Sequence, residues 1–411
     1  MTAQARSLAP PLIPVSAPCP TVPAAVRAAT EVVYTLITAR AEFDALEAEW
    51  NALFERAGKP TQVFQTFNWN WHWANHFLAS SLGGVAGVRL SLITARRDGK
   101  LIMVWPLVTE RMRGITQVFW MGDPASQYGD IIIDDVSDAL AVMRGGWDHL
   151  VANAKGDVLR LRRIREDAAI APLMVEIGAS VADKLTAPYM DLASAPTFAK
   201  YEERYSSHAR KNRRRLKRRL EERGTVTFER YHGGADARRL AVKALELKSE
   251  WLQSRGLISQ AISNARMARF FADAAGGEEK STDCIVSALM LDGEPAALEV
   301  AFTCKGRLAM HVIVYNLKFE KAGVGVLLME KSLSDGYVEN IGVYDMLAPG
   351  DNYKLDWADG SAHVCDWVKP LSIKGAAYAH VYLGQLRPKA KAFMAAMPQS
   401  LRKLIKRAAN G

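Results

Sequence analysis

The sequence has few cysteines, no long apolar run and no familiar hydrolase or metal motif. No eighteen consecutive residues are apolar, so no segment predicts a membrane-spanning helix. The four cysteines are Cys19, Cys284, Cys304 and Cys365. They show no paired spacing of the kind that forms zinc sites or disulfide frameworks, which favours a reducing, cytoplasmic location. His72 and His76 lie four residues apart, but no acid or cysteine completes a metal site there. No Gly-x-Ser-x-Gly motif supports a hydrolase of that class.

The two common nucleotide fingerprints are also missing. No Gly-Lys-Ser/Thr follows the glycines, and the third glycine of a dinucleotide-binding turn is absent. The sequence instead predicts a strand at 308–315, a glycine loop, a helix at 326–336 and a strand at 341–347. This order offers unpaired backbone N–H groups to a phosphate, and a plain turn before a helix is the alternative. The predicted phosphate cradle is Lys321, Ala322, Gly323, Val324, Gly325 and Val326.

Positive charge is concentrated in two segments of this chain of 411 residues and net charge +9. Residues 208–223 carry nine Lys/Arg against two acids, and residues 367–411 carry nine Lys/Arg and no acid. Such local basicity indicates specific anionic partners. We expect contacts with anions or an anionic membrane surface at these positions: Arg213, Arg214, Lys217, Arg218, Arg402, Lys403, Lys406 and Arg407.

The predicted elements follow one order twice, which favours an α/β (α+β) chain with mixed sheets flanked by helices. In the first half the strands are predicted at 32–38, 88–96, 101–109, 115–121, 157–163 and 185–191, with helices at 41–57, 67–78, 136–153 and 168–177. In the second half the strands are predicted at 225–231, 283–291, 295–304, 307–315, 341–347 and 362–369, with helices at 235–254, 263–274 and 326–336. A single long helix is predicted between the halves at 196–222. The Pro- and Ala-rich residues 1–30 predict a disordered leader, and 371–411 a basic amphipathic tail.

Several of these segments resemble one known family. HARKNRRRLKRRLEERGTVTFERY (208–231), the glycine loop and YDMLAPGDNYKLDW (344–357) are similar to the CelD/BcsL-type branch of the GNAT acyltransferases. WNWHW (69–73) and SQYGDIII (126–133) are similar to it as well. The resemblance implies two tandem GNAT-like domains, at 31–194 and 225–370, with a basic linking helix at 195–224. The first half has no glycine-before-helix signal, so we expect it to serve acceptor binding or support.

One departure from the family concerns the phosphate loop. Family members usually carry Ser-Pro-Gly where this chain has Lys321-Ala322-Gly323. The resemblance therefore leaves the geometry of the cradle open.

The candidate catalytic residues are those that could move a proton or hold a charge during acyl transfer: Glu299, His311, Asp345, Tyr353 and Lys354. Glu299 is predicted in mid-strand and is the first candidate base, with a structural buried glutamate as the alternative. His311 is the second candidate base or a core histidine. Asp345 ends a strand, Tyr353 could protonate a departing thiolate, and Lys354 could bind a phosphate. Asp–Lys pairing that holds the turn is the alternative for these three residues.

The resemblance implies an N-acyltransferase that uses acyl-CoA as co-substrate, binds no permanent cofactor and acylates an amine of the cell envelope. It suggests two acceptors, an amino sugar of an exopolysaccharide or a sphingoid base in bacterial ceramide synthesis. The basic segments favour a place at the inner face of the cytoplasmic membrane. One alternative is an aminoacyltransferase that uses aminoacyl-tRNA, and another is a nucleic-acid-binding protein that uses the 208–223 helix.

Overall fold

The computed structural model describes residues 31–78, 87–112, 114–257, 259, 262 and 264–381. The predicted leader at 1–30 and the tail residues Arg402, Lys403, Lys406 and Arg407 lie outside this range, so those predictions stay untested. Within it, no helix is both long enough and apolar enough to cross a membrane.

The strands and helices follow the predicted order closely. The strands are β1 Val32–Ile37, β2 Arg89–Leu90, β3 Leu92–Arg97, β4 Lys100–Trp105, β5 Leu107–Met112, β6 Ile115–Trp120, β7 Ile132–Ile133, β8 Val158–Arg165, β9 Ser180–Asp191, β10 Val226–Tyr231, β11 Cys284–Leu291, β12 Glu294–Cys304, β13 Arg307–Tyr315, β14 Val343–Asp345 and β15 Gly360–Pro370. The helices are α1 Arg40–Ala45, α2 Glu47–Ala57, α3 Phe67–Phe77, α4 Ala139–Asn153, α5 Ala171–Glu176, α6 Phe198–Glu202, α7 Ser207–Glu221, α8 Gly234–Ser254, α9 Ala265–Gly276, α10 Val324–Val338, α11 Asn352–Trp357 and α12 Ile373–Ala377.

The strands form an eleven-stranded sheet and a four-stranded sheet. The large sheet has the order β10-β11-β12-β13-β14-β9-β15-β8-β6-β5-β2, and the small one has the order β1-β3-β4-β7. β9 of the first half pairs with both β14 and β15 of the second half. The two halves therefore interlock, and the domain boundaries drawn from the sequence stay a prediction.

Each half contains a parallel strand pair with a helix between its two strands. β6 and β8 pair in parallel around α4, and β13 and β14 pair in parallel around α10. This repeat confirms the predicted class, an α/β fold of two GNAT-like halves with mixed sheets flanked by helices.

Three elements that the sequence predicts as continuous are each divided in two in the structure. The helix predicted at 196–222 is two helices, because the Ser206 side chain accepts a hydrogen bond from the backbone N–H of Ala209 at 3.1 Å and caps a new helix, α7. The strand predicted at 101–109 is interrupted at Pro106, which lacks an N–H. It becomes β4 and β5, which belong to different sheets. The strand predicted at 88–96 is likewise divided into β2 and β3 between the two sheets.

One apolar core joins the two halves on the side of the large sheet that carries α8 and α9. Trp69 of α3 packs edge-on against Phe270 of α9 and Phe302 of β12, with ring centroids 4.8 and 4.9 Å apart. All three side chains are fully buried. Trp69 of α3 therefore packs the halves together, and α10 covers the opposite face of the sheet.

Candidate active site

The strands β13 and β14 separate after a short parallel pairing. Their register runs only from Arg307 opposite Val343 to Ala309 opposite Asp345. β13 then continues to Tyr315 without β14 beside it. A strand edge left open in this way has backbone N–H and C=O groups available to an extended ligand.

A β-bulge on this open strand places His311. In the pairing of β12 with β13, Val300 lies opposite Val312 and Ala301 lies opposite Met310, so His311 is the extra residue. A bulge turns its extra side chain out of the regular alternation. The imidazole packs against the rings of Trp69 and Phe271, on the α8 and α9 side of the sheet.

The hydrogen bonds of His311 assign its tautomer. Nε2 lies 2.6 Å from the carbonyl oxygen of Ala125, which can only accept, so Nε2 carries the proton. Nδ1 is buried and has no hydrogen-bond partner among the described residues. Burial lowers the pKa of His311 to about 4, so the ring is neutral at physiological pH and Nδ1 has a free lone pair.

His311 lines a cavity of about 260 Å³ to which both halves contribute. The first half supplies the loop after β6 and the end of β8, and the second half supplies α8, α9 and β13. The lining side chains include Pro124, Ala125, Gln127, Arg162, Arg163, Leu245, Lys248, Met267, Phe271, His311 and Val312. Three of its polar members are cationic, namely Arg162, Arg163 and Lys248, and several of its apolar members belong to the shared core.

A second bulge directs two arginines toward this cavity. The pairing of β8 with β15 shifts register between Cys365 and Trp367, opposite the segment that contains Arg162 and Arg163. Arg163 has a φ of +58°, a left-handed conformation that is rare for a long side chain. In a regular strand two neighbouring residues point to opposite faces, whereas here both line the cavity.

Sequence reasoning missed these arginines and Lys248. The signal that could have found the arginines is LRLRRIR (159–165), where four arginines interrupt an otherwise apolar predicted strand. Lys248 gave no such signal, because it lies on an amphipathic helix where lysines are ordinary.

Lys354, at the start of α11, is buried. Its Nζ donates hydrogen bonds to the carbonyl oxygens of Leu347, at 3.2 Å, and Pro349, at 3.0 Å. Burial, with a further contribution from the charges of Lys248 and Arg163, lowers the pKa of Lys354 to about 8. The neighbouring Tyr353 is 43% exposed, and burial of its hydroxyl raises its pKa to about 12. Of the two residues, only Lys354 contributes to the lowered pKa of His311, through its charge and as the smallest of several causes.

Asp345 is fully buried and its oxygens are occupied. Oδ1 accepts hydrogen bonds from the Tyr128 hydroxyl and the Leu347 N–H, both at 2.9 Å. Oδ2 accepts from Nε of Arg307 at 2.9 Å and lies 3.8 Å from the guanidinium of Arg165. We therefore assign Asp345 to the support of the site and no longer to proton transfer.

Glu299 lies on the face of β12 that α10 covers. The sequence correctly grouped it with Ala297 and Ala301, but that face is the interior of the second half, and Glu299 is 1% exposed. Oε1 accepts a hydrogen bond from Tyr344 at 2.9 Å, and Oε2 has no partner among the described residues. His311 is on the opposite face, so the structure separates the two candidate bases. Of the two, only His311 lines the cavity.

Replacement of Glu299 by glutamine tests whether Glu299 or His311 is the base. Burial raises the pKa of Glu299, so the folded protein holds this proton more tightly than the unfolded chain does. The stability that this proton confers is present at low pH and is lost as the pH rises above the usual glutamate range. We expect Glu299→Gln to change turnover by less than about threefold, because a buried amide replaces a buried acid of equal size. The free energy of unfolding of the variant should also depend less on pH between about 4 and 8. A hundredfold loss of turnover in a folded variant would restore Glu299 as the base.

The N-terminus of α10 lies at the far end of β13. Gly323 precedes the helix with a φ of +69°, and a Cβ there would lie 2.7 Å from the Leu216 side chain of α7. At Gly325 a Cβ would meet only the Tyr315 ring, at 3.7 Å. The first N–H groups of a helix have no partner within it, so this end can receive an anion. Gly323 is therefore required by the packing of α7, and Gly325 is the position where a ligand could approach.

The cations of α7 divide into one buried residue and several exposed ones. Arg213 donates to Glu202 and Glu330, each at 2.7 Å, and is 5% exposed. Because Arg213 is paired with two carboxylates of the protein itself, we remove it from the predicted anion contacts. Arg214, Lys217 and Arg218 are exposed on α7, whose Leu216 contacts the start of α10, and they stay predicted contacts.

This arrangement coincides with a known family signature. Residues 207–355 match the family described as the acetyltransferase (GNAT) domain. This part of the chain is similar to a GNAT acetyltransferase domain. It begins in α7 and ends in α11, so it includes His311, the N-terminus of α10 and Lys354. The match does not distinguish the CelD/BcsL type, which stays a prediction.

Solved structures resemble the chain beyond the GNAT domain. FemX is 10% identical over 85% of this chain and 99% of its own, with a TM-score of 0.55. L-PGS from Bacillus licheniformis is 13% identical over 82% of this chain and 95% of its own, with a TM-score of 0.50. A conserved protein of unknown function from Bacteroides thetaiotaomicron is 10% identical over 82% and 100%, with a TM-score of 0.51. Comparison with curated protein sequences gives no match. At these identities the likeness concerns the fold alone.

Proposed function

We propose that this GNAT protein transfers an acyl group from a CoA thioester to an amine. The observation that carries the proposal is the open edge of β13. One strand connects the N-terminus of α10, beside Tyr315, to His311, which lines the cavity and whose Nδ1 has no partner among the described residues. A donor that lies along this edge would bring its acyl carbon toward an acceptor in the cavity.

The reaction needs one base and one acid. The amine nitrogen attacks the carbonyl carbon, a C–N bond forms, and the C–S bond then breaks. His311 accepts the proton that the attacking nitrogen releases, which is far more acidic in the addition intermediate than in a free ammonium. The same proton then goes to the departing thiolate, so protons balance.

The proposed acceptor is an amine of the cell envelope, either an amino sugar of an exopolysaccharide or a sphingoid base. The exposed cations of α7 support an encounter with an anionic surface, and the inner face of the cytoplasmic membrane is our proposed place for it. Sedimentation with anionic liposomes, compared with neutral ones, tests this association.

Aminoacyl-tRNA is the second candidate donor. The exposed Arg214, Lys217 and Arg218 could contact the tRNA backbone as readily as a membrane, because both are polyanionic. Parallel assays of the full chain with labelled acetyl-CoA, palmitoyl-CoA and alanyl-tRNA distinguish the donors. Transfer from the tRNA and from neither thioester would overturn the CoA proposal. A steep salt-dependent shift of RNA, with no transfer from any donor, would instead indicate a nucleic-acid-binding protein.

Substitution of Gly325 tests the donor site. Gly325→Asp places a carboxylate where the phosphate is expected, so CoA affinity should fall about tenfold or more, or about 1.4 kcal/mol. Thermal stability should change little, because a side chain at Gly325 meets only Tyr315 at ordinary contact distance. Gly325→Ala is the matched control and should keep its CoA affinity by calorimetry. Equal CoA affinity in all three proteins would refute the assignment. Gly323 is unsuitable for this test, since a side chain there would be strained and would clash with Leu216.

A further inference from the structure

Three cations line the cavity, and two of them form no ion pair with any described residue. Arg162 pairs with Asp123 at 3.0 Å and with Asp366 at 3.4 Å. The Arg163 guanidinium has no hydrogen bond or ion pair with any described residue, and its NH1 group is buried. Lys248 contacts the Trp251 ring at 4.6 Å and likewise forms no ion pair in the described part of the chain. A buried donor with no partner costs free energy that a bound ligand would recover.

The backbone at Arg163 indicates that this placement is built into the fold. The left-handed conformation of a non-glycine residue costs about 1–3 kcal/mol and persists where the surroundings impose it. Here the Asp366 carboxylate accepts the Arg163 N–H at 2.9 Å, and the Arg163 carbonyl accepts the Gly129 N–H at 3.2 Å. These two hydrogen bonds stabilise the strained backbone conformation, and that conformation places a second arginine at the cavity.

We propose that the acceptor is an amine that also carries an anionic group, a phosphate or a carboxylate, which Arg163 and Lys248 bind. This inference rests on the proposed acyl transfer. A cavity that served a simple cationic amine would be expected to carry carboxylates. In the described lining no carboxylate is present.

The anion belongs to the acceptor rather than to the donor because the two sites are separate. The N-terminus of α10 lies beside Tyr315, four residues from His311 along β13, or about 13 Å at roughly 3.3 Å per residue. The cavity lies on the α8 and α9 face, whereas α10 covers the other face. The cations have a second effect, because they favour the neutral, nucleophilic form of a nearby amine. An unphosphorylated sphingoid base has no anionic group, so the proposal disfavours it.

Matched pairs of acceptors test the inference with the full chain and acetyl-CoA. The pairs are glucosamine with glucosamine 6-phosphate, glycinamide with glycine, and sphinganine with sphinganine 1-phosphate. We expect kcat/KM to be at least tenfold higher for the anionic member of one or more pairs. The pair that shows it identifies phosphate or carboxylate as the anion. Equal or higher kcat/KM for every neutral member would overturn the proposal.

Variants of Lys248 give the decisive readout. Lys248→Gln should lower kcat/KM for the anionic acceptor tenfold or more and leave its neutral counterpart within about twofold. Lys248→Glu should reverse the preference. Lys243→Gln, at a half-exposed lysine of the same helix that does not line the cavity, is the matched control and should change neither. Equal losses for both acceptors in Lys248→Gln would mean that the cation serves the reaction itself, and the proposal would fail.

A binding measurement separates this inference from the proposed function. Calorimetry with glucosamine 6-phosphate and with glycine, without any donor, should show an affinity that Lys248→Gln weakens and Lys243→Gln does not. Such binding without acyl transfer from CoA would support the anion site and reject the CoA donor. Acyl transfer from CoA with no dependence on Lys248 would support the CoA donor and reject the anion site.

Discussion

Replacement of His311 by glutamine should lower kcat by about a hundredfold or more, with little change in stability. The glutamine amide can still donate to the Ala125 carbonyl, but it has no basic nitrogen where Nδ1 stands. General-base catalysis by a positioned side chain raises a rate by about 10²–10⁴-fold. Loss of the base should therefore lower kcat by at least the hundredfold expected here. His363→Gln, on the exposed surface of β15, is the matched control and should keep full turnover.

The pH profile gives a second test of the same residue. His311 must be neutral to accept a proton, and its pKa is about 4. The kcat/KM of the wild-type protein should therefore show no loss from this group down to about pH 5 and should fall as pH approaches 4. Protonation of the acceptor amine adds a separate pH dependence to kcat/KM, which affects the variant and the wild-type protein equally. A ratio of variant to wild-type kcat/KM that stays constant from pH 3.5 to 7 would exclude His311 as the base.

Replacement of Asp345 by alanine should destabilise the protein by about 3–5 kcal/mol. The change removes the carboxylate that the Arg307 guanidinium contacts at 2.7 Å, and it leaves the mostly buried Arg307 without an ion pair and the buried Arg165 with Asp167 alone. Loss of one partner from a buried ion pair typically costs this much, because the remaining charge stays desolvated. The network also joins the halves, since Tyr128 and Arg165 belong to the first and Asp345 to the second.

Urea unfolding followed by tryptophan fluorescence measures the effect. Asp236→Ala, which removes an exposed ion pair with Arg239, is the control and should change the free energy of unfolding by less than about 1 kcal/mol. If Asp345→Ala is as stable as this control but inactive, Asp345 acts in the chemistry and the structural assignment is wrong.

Local pattern was sufficient for the elements that carry the site. The run at 308–315 predicted β13, and the glycine before an apolar helix predicted α10, because period-two and period-3.6 patterns are set by neighbouring residues. The doubled order of elements likewise anticipated two GNAT-like halves. Gly323 was correctly marked as special, although the reason is its backbone conformation and the contact with Leu216.

Assembly of the site depended on contacts that no local pattern contains. The sequence placed Glu299 on the right face of its strand, but only the position of α10 made that face an interior. It placed Arg213 on a basic helix, but only Glu202 and Glu330 made it a buried ion pair.

The amino-acid sequence by itself determined the order of strands and helices, the glycine that begins α10 and the presence of a histidine on β13. The tertiary structure decided which candidates meet. Two bulges, at His311 and at Arg162–Arg163, each add one residue to a strand and so change which face the side chains that follow occupy. The interlocking of β9 and β15 then brings an arginine of one half to a histidine of the other. Alternation along a strand is a short-range property, whereas the partner that covers a face comes from residues far away in the chain.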